Sequence, residues 1–176
     1  LPTARAGEPF RVWSAASSSG EEAYSIAMVL AEHLGQGAWE IIASDHSTRV
    51  LDTARRGLYA MERASKIPPA YLRQYCLKGT GPQDGYFIIE PWLRQRVRFM
   101  QINLMQPLPR LGLFDVIFLR NVLIYFDVDT KRRVVESLLP ALRPGGHFFS
   151  GHSESLTGLV QGLRAIKPAI YLKPAT

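Results

Sequence analysis

Two periods of apolar residues take turns along this chain, short continuous runs and longer stretches with apolar positions three and four apart, and together they predict alternating strands and helices. Arg11–Ala15 reads as a first strand. The helix after it runs from Gly20 to about Leu34, with Ile26, Met28, Val29, Leu30 and Leu34 supplying much of its apolar side and Gly35 and Gly37 ending it. Trp39–Ser44 reads as the second strand. Its helix runs from Ser47, as N-cap, to Arg56, and Gly57 closes it. Pro68-Pro69 opens a short helix through Tyr75.

The alternation then breaks. Gly79 to Gly85 is rich in turn residues, and Tyr86–Glu90 and Arg96–Ile102 on either side of Pro91 both look extended. They suggest an antiparallel hairpin or small sheet over about residues 79–98, inserted into the α/β frame; a plain connecting loop is the alternative. Phe114–Leu119 has the unbroken apolar character of a strand buried on both faces. An amphipathic helix follows over Asp129–Leu142, and Arg143-Pro144-Gly145-Gly146 stops it. His147–Ser150 is extended, as are pieces near Leu163–Ile166 and Ala169–Leu172. The pattern predicts an α/β sheet with an antiparallel end, whose ligands bind beyond the strand C-termini.

Composition narrows the class. The 176 residues are enough for one domain with a core, and 47% hydrophobic with 20% charged residues is ordinary for a globular protein. Cys76 is the only cysteine, which rules out an internal disulfide and favours a reducing, cytoplasmic setting. No run reaches the roughly 18–20 apolar residues of a membrane span. The chain starts at Leu1 without a leader-like pattern, and so reads as a domain trimmed from a longer protein. The net charge of +6 is uneven: Arg94, Arg96, Arg98 and Arg110 lie in an acid-free stretch, and residues 49–78 carry seven basic residues against Asp52 and Glu62. Such a surface attracts anionic partners or simply keeps the protein soluble.

The strand ends carry the candidate chemistry. The first strand runs into the small residues Ala15-Ala16-Ser17-Ser18-Ser19-Gly20, followed by Glu21 and Glu22, and the second strand delivers Asp45. Small residues at such a turn let a ligand approach the backbone, and an acid on the second strand can hold a ribose diol. Only Gly20 is glycine, where a dinucleotide-binding turn has about three. Asn103-Leu104 and Arg120-Asn121 end two further strands on the same edge. Each residue also has a plainer reading: Asp45 as a helix N-cap, Asn103 as a turn residue, Tyr125 as a core aromatic.

Read together, these segments resemble the chemotaxis receptor methyltransferases, the CheR family. The resemblance runs in family order through Trp13-Ser14-Ala15-Ala16, Gly20-Glu21-Glu22, Tyr24-Ser25-Ile26-Ala27, Ala43-Ser44-Asp45, Gly79-Thr80-Gly81-Pro82, Arg120-Asn121-Val122, Ile124-Tyr125-Phe126-Asp127, Leu142-Arg143-Pro144-Gly145-Gly146 and Gly151-His152-Ser153-Glu154. It implies a Rossmann-like class I methyltransferase sheet, mostly parallel with an antiparallel last hairpin, plus a small inserted antiparallel β-subdomain. It also implies an S-adenosyl-L-methionine-dependent protein-glutamate O-methyltransferase, releasing S-adenosyl-L-homocysteine. The acceptors would be glutamates on cytoplasmic helices of methyl-accepting chemoreceptors, whose C-terminal tail could dock on the β-subdomain. On the same basis we expect no nucleic-acid partner, no membrane insertion and a monomer.

By that resemblance, Glu22 contacts the methionine part of the cofactor, Asp45 the ribose hydroxyls, and Asn103 and Leu104 the adenine. Ala16 and Gly20 belong to the cofactor turn, and Arg120 and Asn121 are cofactor-binding as well, lining the site with Tyr125 near the transferred methyl. Arg120 and Tyr125 place the acceptor carboxylate and are the catalytic candidates. A glutamate side chain, with a pKa near about 4.3, is already an anionic nucleophile at neutral pH and needs no general base. No Ser-His-Asp or Cys-His constellation and no metal-site spacing stands out. His152, with Ser153 and Glu154, reads as a capping or loop residue. The sequence departs from the family with Ser17-Ser18-Ser19 where Cys-Ser-Thr is common. It also lacks the N-terminal helical domain whose Thr-Asn and Phe-Phe-Arg type motif completes the pocket. A nucleic-acid methyltransferase would show an Asn-Pro-Pro-Tyr type turn or a nucleophilic cysteine, which Arg120-Asn121-Val122-Leu123 does not, and the lone Gly20 speaks against a nicotinamide dehydrogenase.

Overall fold

The computed structural model describes residues 5–176, so the start at Leu1 lies outside the described residues. In chain order, β1 (Phe10–Ser14) leads into α1 (Glu21–Leu34) and β2 (Trp39–Asp45) into α2 (Thr48–Arg56). Next come β3 (Leu58–Ala60), α3 (Pro69–Tyr75), β4 (Cys76–Lys78) and β5 (Tyr86–Ile89), and the single turn of α4 (Pro91–Arg94) leads into β6 (Val97–Gln101). The last elements are β7 (Phe114–Leu119), α5 (Val128–Leu138), β8 (Leu142–Ser150), β9 (Arg164–Lys167) and β10 (Ile170–Leu172).

Seven strands form one sheet in the order β6-β2-β1-β7-β8-β10-β9. The first five in that order are parallel, while β10 runs antiparallel to both β8 and β9. Alternate side chains of the central strands enter different cores, because successive residues of a strand face opposite sides. Val12, Ile41 and Val116 pack with α1, whereas Trp13, Ile42 and Ile117 pack with α5. Both faces are therefore covered, which is what the near-continuous apolar strands require. From β1 the chain builds outward to β2 and β6, then crosses back to β7 on the other side. The switch point lies between β1 and β7, and a crevice opens there beyond the strand C-termini.

α1 buries a narrower side chain set than its pattern suggests. Ala23, Tyr24, Ala27, Met28, Leu30 and Ala31 face the sheet, Ile26 and Leu34 are partly covered, and Val29 stays 42% exposed. Alanines at 23, 27 and 31 recur every turn, so the helix lies close to the sheet while Val29 falls on the outer side. α5 also ends earlier than Leu142. Asp127 caps it by accepting from the Thr130 amide at 2.8 Å, and Pro140 lies in a 3-10 turn, Leu139–Ala141, where the helix would have continued. β8 then begins at Leu142 and runs through Arg143–Gly146 instead of waiting for His147. Those residues find backbone partners just past β10: the Gly145 amide donates to Lys173 O at 2.7 Å and the Lys173 amide to Gly146 O at 2.9 Å.

The inserted unit has different bounds from the expected 79–98. A three-stranded antiparallel sheet, β3-β5-β4, is assembled from residues 58–60, 76–78 and 86–89. The two extended segments around Pro91 do not pair with each other. β6 belongs to the large sheet, parallel to β2 with Ile41 opposite Val97. Pro91 opens the α4 turn that redirects the chain, and Val97 buries its branched side chain beside β2. Among the described residues no helix is long and apolar enough to cross a membrane.

Candidate functional site

Buried serines and an indole knit the ends of β1 and β2 together. The Trp13 indole N–H donates to Ser44 Oγ at 2.9 Å, and that hydroxyl donates to Ala15 O at 3.0 Å. The Ser17 amide reaches Ser44 O at 2.8 Å, and the Gly20 amide reaches Ser17 O at 3.0 Å. Ser18 takes the left-handed region at φ 49° to make the corner. From the inserted unit, the Tyr59 hydroxyl donates to Ser19 O at 2.6 Å, and Arg63 pairs with Glu21. The turn that opens α1 is thus held from the sheet below and from the insertion beside it.

Gly20 is the N-cap of α1, with φ 95°. A methyl group there would lie 2.8 Å from Ala54 Cβ and 3.1 Å from the Tyr59 hydroxyl. Its lack of a side chain lets α2 pack against the turn, and Gly20 does not line the crevice, whereas Ala16 does. The missing Cβ points into the α2 contact, and the backbone of Gly20 remains part of the turn that opens α1.

The crevice at the switch point has a volume of about 650 Å³. All the other candidate residues line it: Ala16, Glu22, Asp45, Asn103, Leu104, Arg120, Asn121 and Tyr125. Asp45 is the most fully anchored. Its Oδ2 accepts from the Ser18 amide and its Oδ1 from the Ser47 amide, both at 3.0 Å, while Ser47 itself caps α2. Asp45 therefore bridges the first turn to the start of α2 instead of capping that helix. Asn103 keeps its turn role, its Oδ1 accepting from the Met105 amide at 2.9 Å, and faces the crevice as well. Ile102 and Leu104 on either side supply apolar wall.

Glu22 hangs below the first turn. Burial pushes its carboxyl above the usual carboxylate range, while the Ser14 hydroxyl, donating to Oε1 at 2.8 Å, and the Arg120 guanidinium, 3.7 Å from Oε2, pull it back down. A largely buried carboxylate of this kind favours a cation beside it. Ser17 adds a buried hydroxyl with no hydrogen-bond partner among the described residues, on the wall of the same crevice. Buried polar atoms normally find partners, so this one suits a polar ligand. An acid able to take a diol, apolar wall beside Asn103, an acid suited to an ammonium group and an orphan hydroxyl fit a nucleoside that carries an amino-acid arm.

Across the crevice, β7 ends at Leu119 and the chain turns at once. Asn121 is in the left-handed region at φ 60°. Tyr125 is 77% exposed at the rim, which excludes the core-aromatic reading. Three amides of this turn and its neighbour converge on Glu154, which is only 4% exposed. Its Oε1 accepts from Asn121 N–H at 2.6 Å and Gly151 N–H at 3.0 Å, and its Oε2 from Ile124 N–H at 3.1 Å. The sequence points to Glu154 only as a loop residue, because two of its three partners, Asn121 and Ile124, are 30 or more positions away. Ser14, Ser17 and Ser44 are equally silent in sequence, since small polar residues inside apolar runs look like packing.

A second cavity of about 400 Å³ lies on the other side of the first turn, between α1 and the inserted unit, bounded by Tyr24, Tyr59 and Phe87. It shares Glu21 and Glu22 with the crevice and adds Glu62, Arg63 and Lys66, but Asp45, Asn103 and the β7 turn line only the switch-point crevice of the two. The basic residues are also less free than their number suggests. Arg96 donates to the carbonyls of Gln36, Gly37 and Trp39 and stacks over the Trp39 ring at 4.7 Å. Arg94 donates to Ile89 O and Arg56 O.

Residues 1–171 match the family model described as "CheR methyltransferase, SAM binding domain". Among curated relatives, the chain is 44% identical over 170 residues to a chemotaxis protein methyltransferase of Salmonella typhimurium, covering 95% of this chain and 59% of that protein. It is 45% identical over 166 residues to chemotaxis protein methyltransferase 2 of Pseudomonas aeruginosa, with 93% and 59% covered. The chain thus spans 59% of the length of these two relatives. Among solved structures it resembles the glycopeptide N-methyltransferase MtfA complexed with sinefungin at a TM-score of 0.50 and 20% identity, covering 83% of this chain and 44% of that one. An O-methyltransferase family 2 protein from Planctomyces limnophilus in complex with apigenin gives a TM-score of 0.51 at 21% identity, with 85% and 34% covered. These likenesses establish the fold: a methyltransferase-type sheet, mostly parallel, with antiparallel strands at one edge.

Proposed function

The chain belongs to the CheR methyltransferase family, and from that premise we propose that it carries the S-adenosylmethionine site and catalytic groups of a protein-glutamate O-methyltransferase acting on chemoreceptors. In this reading residues 1–176 are the methyltransferase domain and work as a monomer in the cytoplasm. The observation that supports it most is the meeting of Glu22, Asp45 and the Arg120–Tyr125 turn in one crevice at the switch point. Glu22 would hold the ammonium of the methionine arm, Asp45 the ribose hydroxyls, and Asn103 with Leu104 the adenine. Ala16 would leave room for the ligand along the first turn, and Asn121 would close the pocket from the β7 side. When bound, S-adenosylmethionine supplies the methyl group on its sulfonium and departs as S-adenosylhomocysteine.

The chain's own task is then to bring a carboxylate into line and keep water away. Arg120 can donate two parallel hydrogen bonds to a glutamate side chain, and Tyr125, exposed at the rim, can fix its second oxygen. The acceptor arrives anionic, so no residue has to remove a proton. Too firm a grip would stabilise the acceptor before reaction more than at the transition state, which favours orientation over neutralisation. The Glu22 carboxylate near Arg120 tempers that guanidinium in this way.

The test is transfer of labelled methyl from S-adenosylmethionine to a chemoreceptor cytoplasmic fragment by the native protein. A base-labile methyl ester on glutamate is the expected product. A base-stable product, or transfer to nucleic acid instead, would overturn the reading. The small sheet supports a docking role for the receptor's C-terminal tail as an added strand. Its outer strands β3 and β4 have open edges in that sheet, and Leu58, Leu77 and Tyr86 are exposed on it. Removing the Gly79–Gly85 loop should weaken receptor binding, and unchanged affinity would dismiss the tail contact.

A further inference from the structure

Glu154 touches neither Glu22 nor Asp45, yet it reaches the amides on which the opposite wall of the crevice depends. We propose that Glu154 is the positioning residue of the β7 turn: its buried carboxylate holds the Asn121 and Ile124 amides and so fixes where Arg120 and Tyr125 stand. The proposal rests on the methyltransferase reading above for its functional consequence, but its geometry stands by itself.

β7 has no strand-like continuation after Leu119, and the residues that follow must present a guanidinium and a phenol to one spot. A left-handed residue at Asn121 makes the reversal, a conformation that asparagine tolerates better than most residues. It also aims the Asn121 and Ile124 amides toward the end of β8, where no strand carbonyl meets them. Converging amides of this kind make a concave anion site. Here the anion comes from the chain itself, because both Glu154 oxygens accept and three amides are satisfied at 2.6, 3.0 and 3.1 Å. A glutamine would present an NH₂ donor to at least one of those amides, since it carries only one acceptor oxygen.

The β8 side is shaped for the same contact. The Glu154 amide donates to Gly151 O at 3.0 Å, closing a tight turn that carries the carboxylate back under the Asn121 amide. A methyl group on Gly151 would overlap Glu154 Oε1 and come within 3.3 Å of Asn121 Oδ1. Gly151 therefore leaves the space that the carboxylate occupies. With Arg120 3.7 Å from Glu22, the brace also sets the distance between the two walls.

The experiment compares native protein, Glu154→Gln and Gly151→Ala by amide hydrogen exchange and by methyl transfer to a receptor fragment. In the native protein the Asn121, Ile124 and Gly151 amides should exchange slowly although none of them is bonded to a carbonyl of a strand or helix. Glu154→Gln should release them while the Ser18 and Ser47 amides, bonded to Asp45, keep their protection. At saturating S-adenosylmethionine, kcat should fall by about 10–100-fold, the scale of a misplaced reacting group. The S-adenosylhomocysteine dissociation constant should rise by less than kcat falls, at most about fivefold, because Asp45 and Glu22 belong to the other wall and Asn121 only closes the pocket from the braced side. Gly151→Ala should reproduce both effects by displacing the carboxylate.

Three results would overturn the proposal. The first is fast exchange of those amides in the native protein, which needs no variant to fold. The second is native kcat in Glu154→Gln. The third is a kcat loss that merely tracks the loss of S-adenosylhomocysteine-competent sites, as general destabilisation would give. Absence of methyl transfer by the native protein would instead remove the methyltransferase reading, and the exchange result would still decide whether Glu154 braces the turn.

Discussion

Replacing Gly20 with alanine separates two roles that one glycine in the first turn could have. At φ 95° an L-residue bears backbone strain of roughly 1–2 kcal/mol. Its methyl group would also sit 2.8 Å from Ala54 Cβ and 3.2 Å from Ala54 Cα, an overlap that cores relieve at a cost of about 1–3 kcal/mol. The sum is about 2–5 kcal/mol, or a fall in Tm of about 4–20 °C for a domain of this size. Urea and thermal unfolding measure it directly.

The companion variant Ala54→Gly deletes the methyl on the α2 side. By itself it should cost about 1 kcal/mol in helix propensity. Combined with Gly20→Ala it should restore about 1–2 kcal/mol, because the methyl–methyl overlap is gone while the strain at φ 95° remains. That coupling exceeds the roughly 0.3–0.5 kcal/mol within which independent sites add. Strict additivity would refute the packing explanation. So would an unchanged Tm accompanied by loss of S-adenosylhomocysteine binding, which would return Gly20 to the ligand side of the turn.

Burial raises the Glu22 carboxyl above its unfolded value. Between the two values the folded chain binds more protons than the unfolded one, so stability should fall as pH rises through the window above the usual carboxylate pKa of about 4.3. Glu22→Gln should flatten that slope and be more stable than the native protein above the window; an identical pH profile by urea titration would contradict this. Asp45→Asn should weaken S-adenosylhomocysteine binding by about 10–100-fold in calorimetry, the worth of one or more hydrogen bonds to a charged group, and native affinity would remove the diol role. Arg120→Lys keeps the charge but not the planar fork, so methyl transfer should drop at least about tenfold with cofactor affinity little changed; full activity would mean that a point charge suffices. Burial pushes the Cys76 thiol up to about 11, so disulfide reagents should modify it at pH 8 only as fast as the chain unfolds, and rapid labelling of folded protein would show otherwise.

The site residues come together in the way their strand-end positions suggest, because parallel strands in one sheet finish on a common edge. Asp45 ends β2, Asn103 and Arg120 follow β6 and β7, and all three line the crevice. Their geometry is less predictable. Asp45 is read from sequence as a capping acid or a ribose ligand, and the chain uses it to bridge Ser18 and Ser47 while leaving it on the crevice wall. Arg96, counted among free cations in sequence, is tied to three carbonyls of the segment before and at the start of β2.

What the sequence determines by itself is local: apolar runs for β1, β2 and β7, a capped helix after each of the first two, and polar residues delivered at strand ends. Local periodicity suffices there because a residue's face in a strand or helix is set within one or two turns of chain. The tertiary structure alone decides which strand pairs with which. β6 has an extended pattern, but its place beside β2 instead of β5 depends on the α4 turn and on burial of Val97. Three-residue strands such as β3 and β4 are too short to show a period, and exist only because β5 lies between them. The same holds for Glu154 and Gly20. The Asn121 and Ile124 amides that one receives and the Ala54 methyl that the other avoids are contributed by residues 30 or more positions away, so their roles come into being only when the chain has closed on itself.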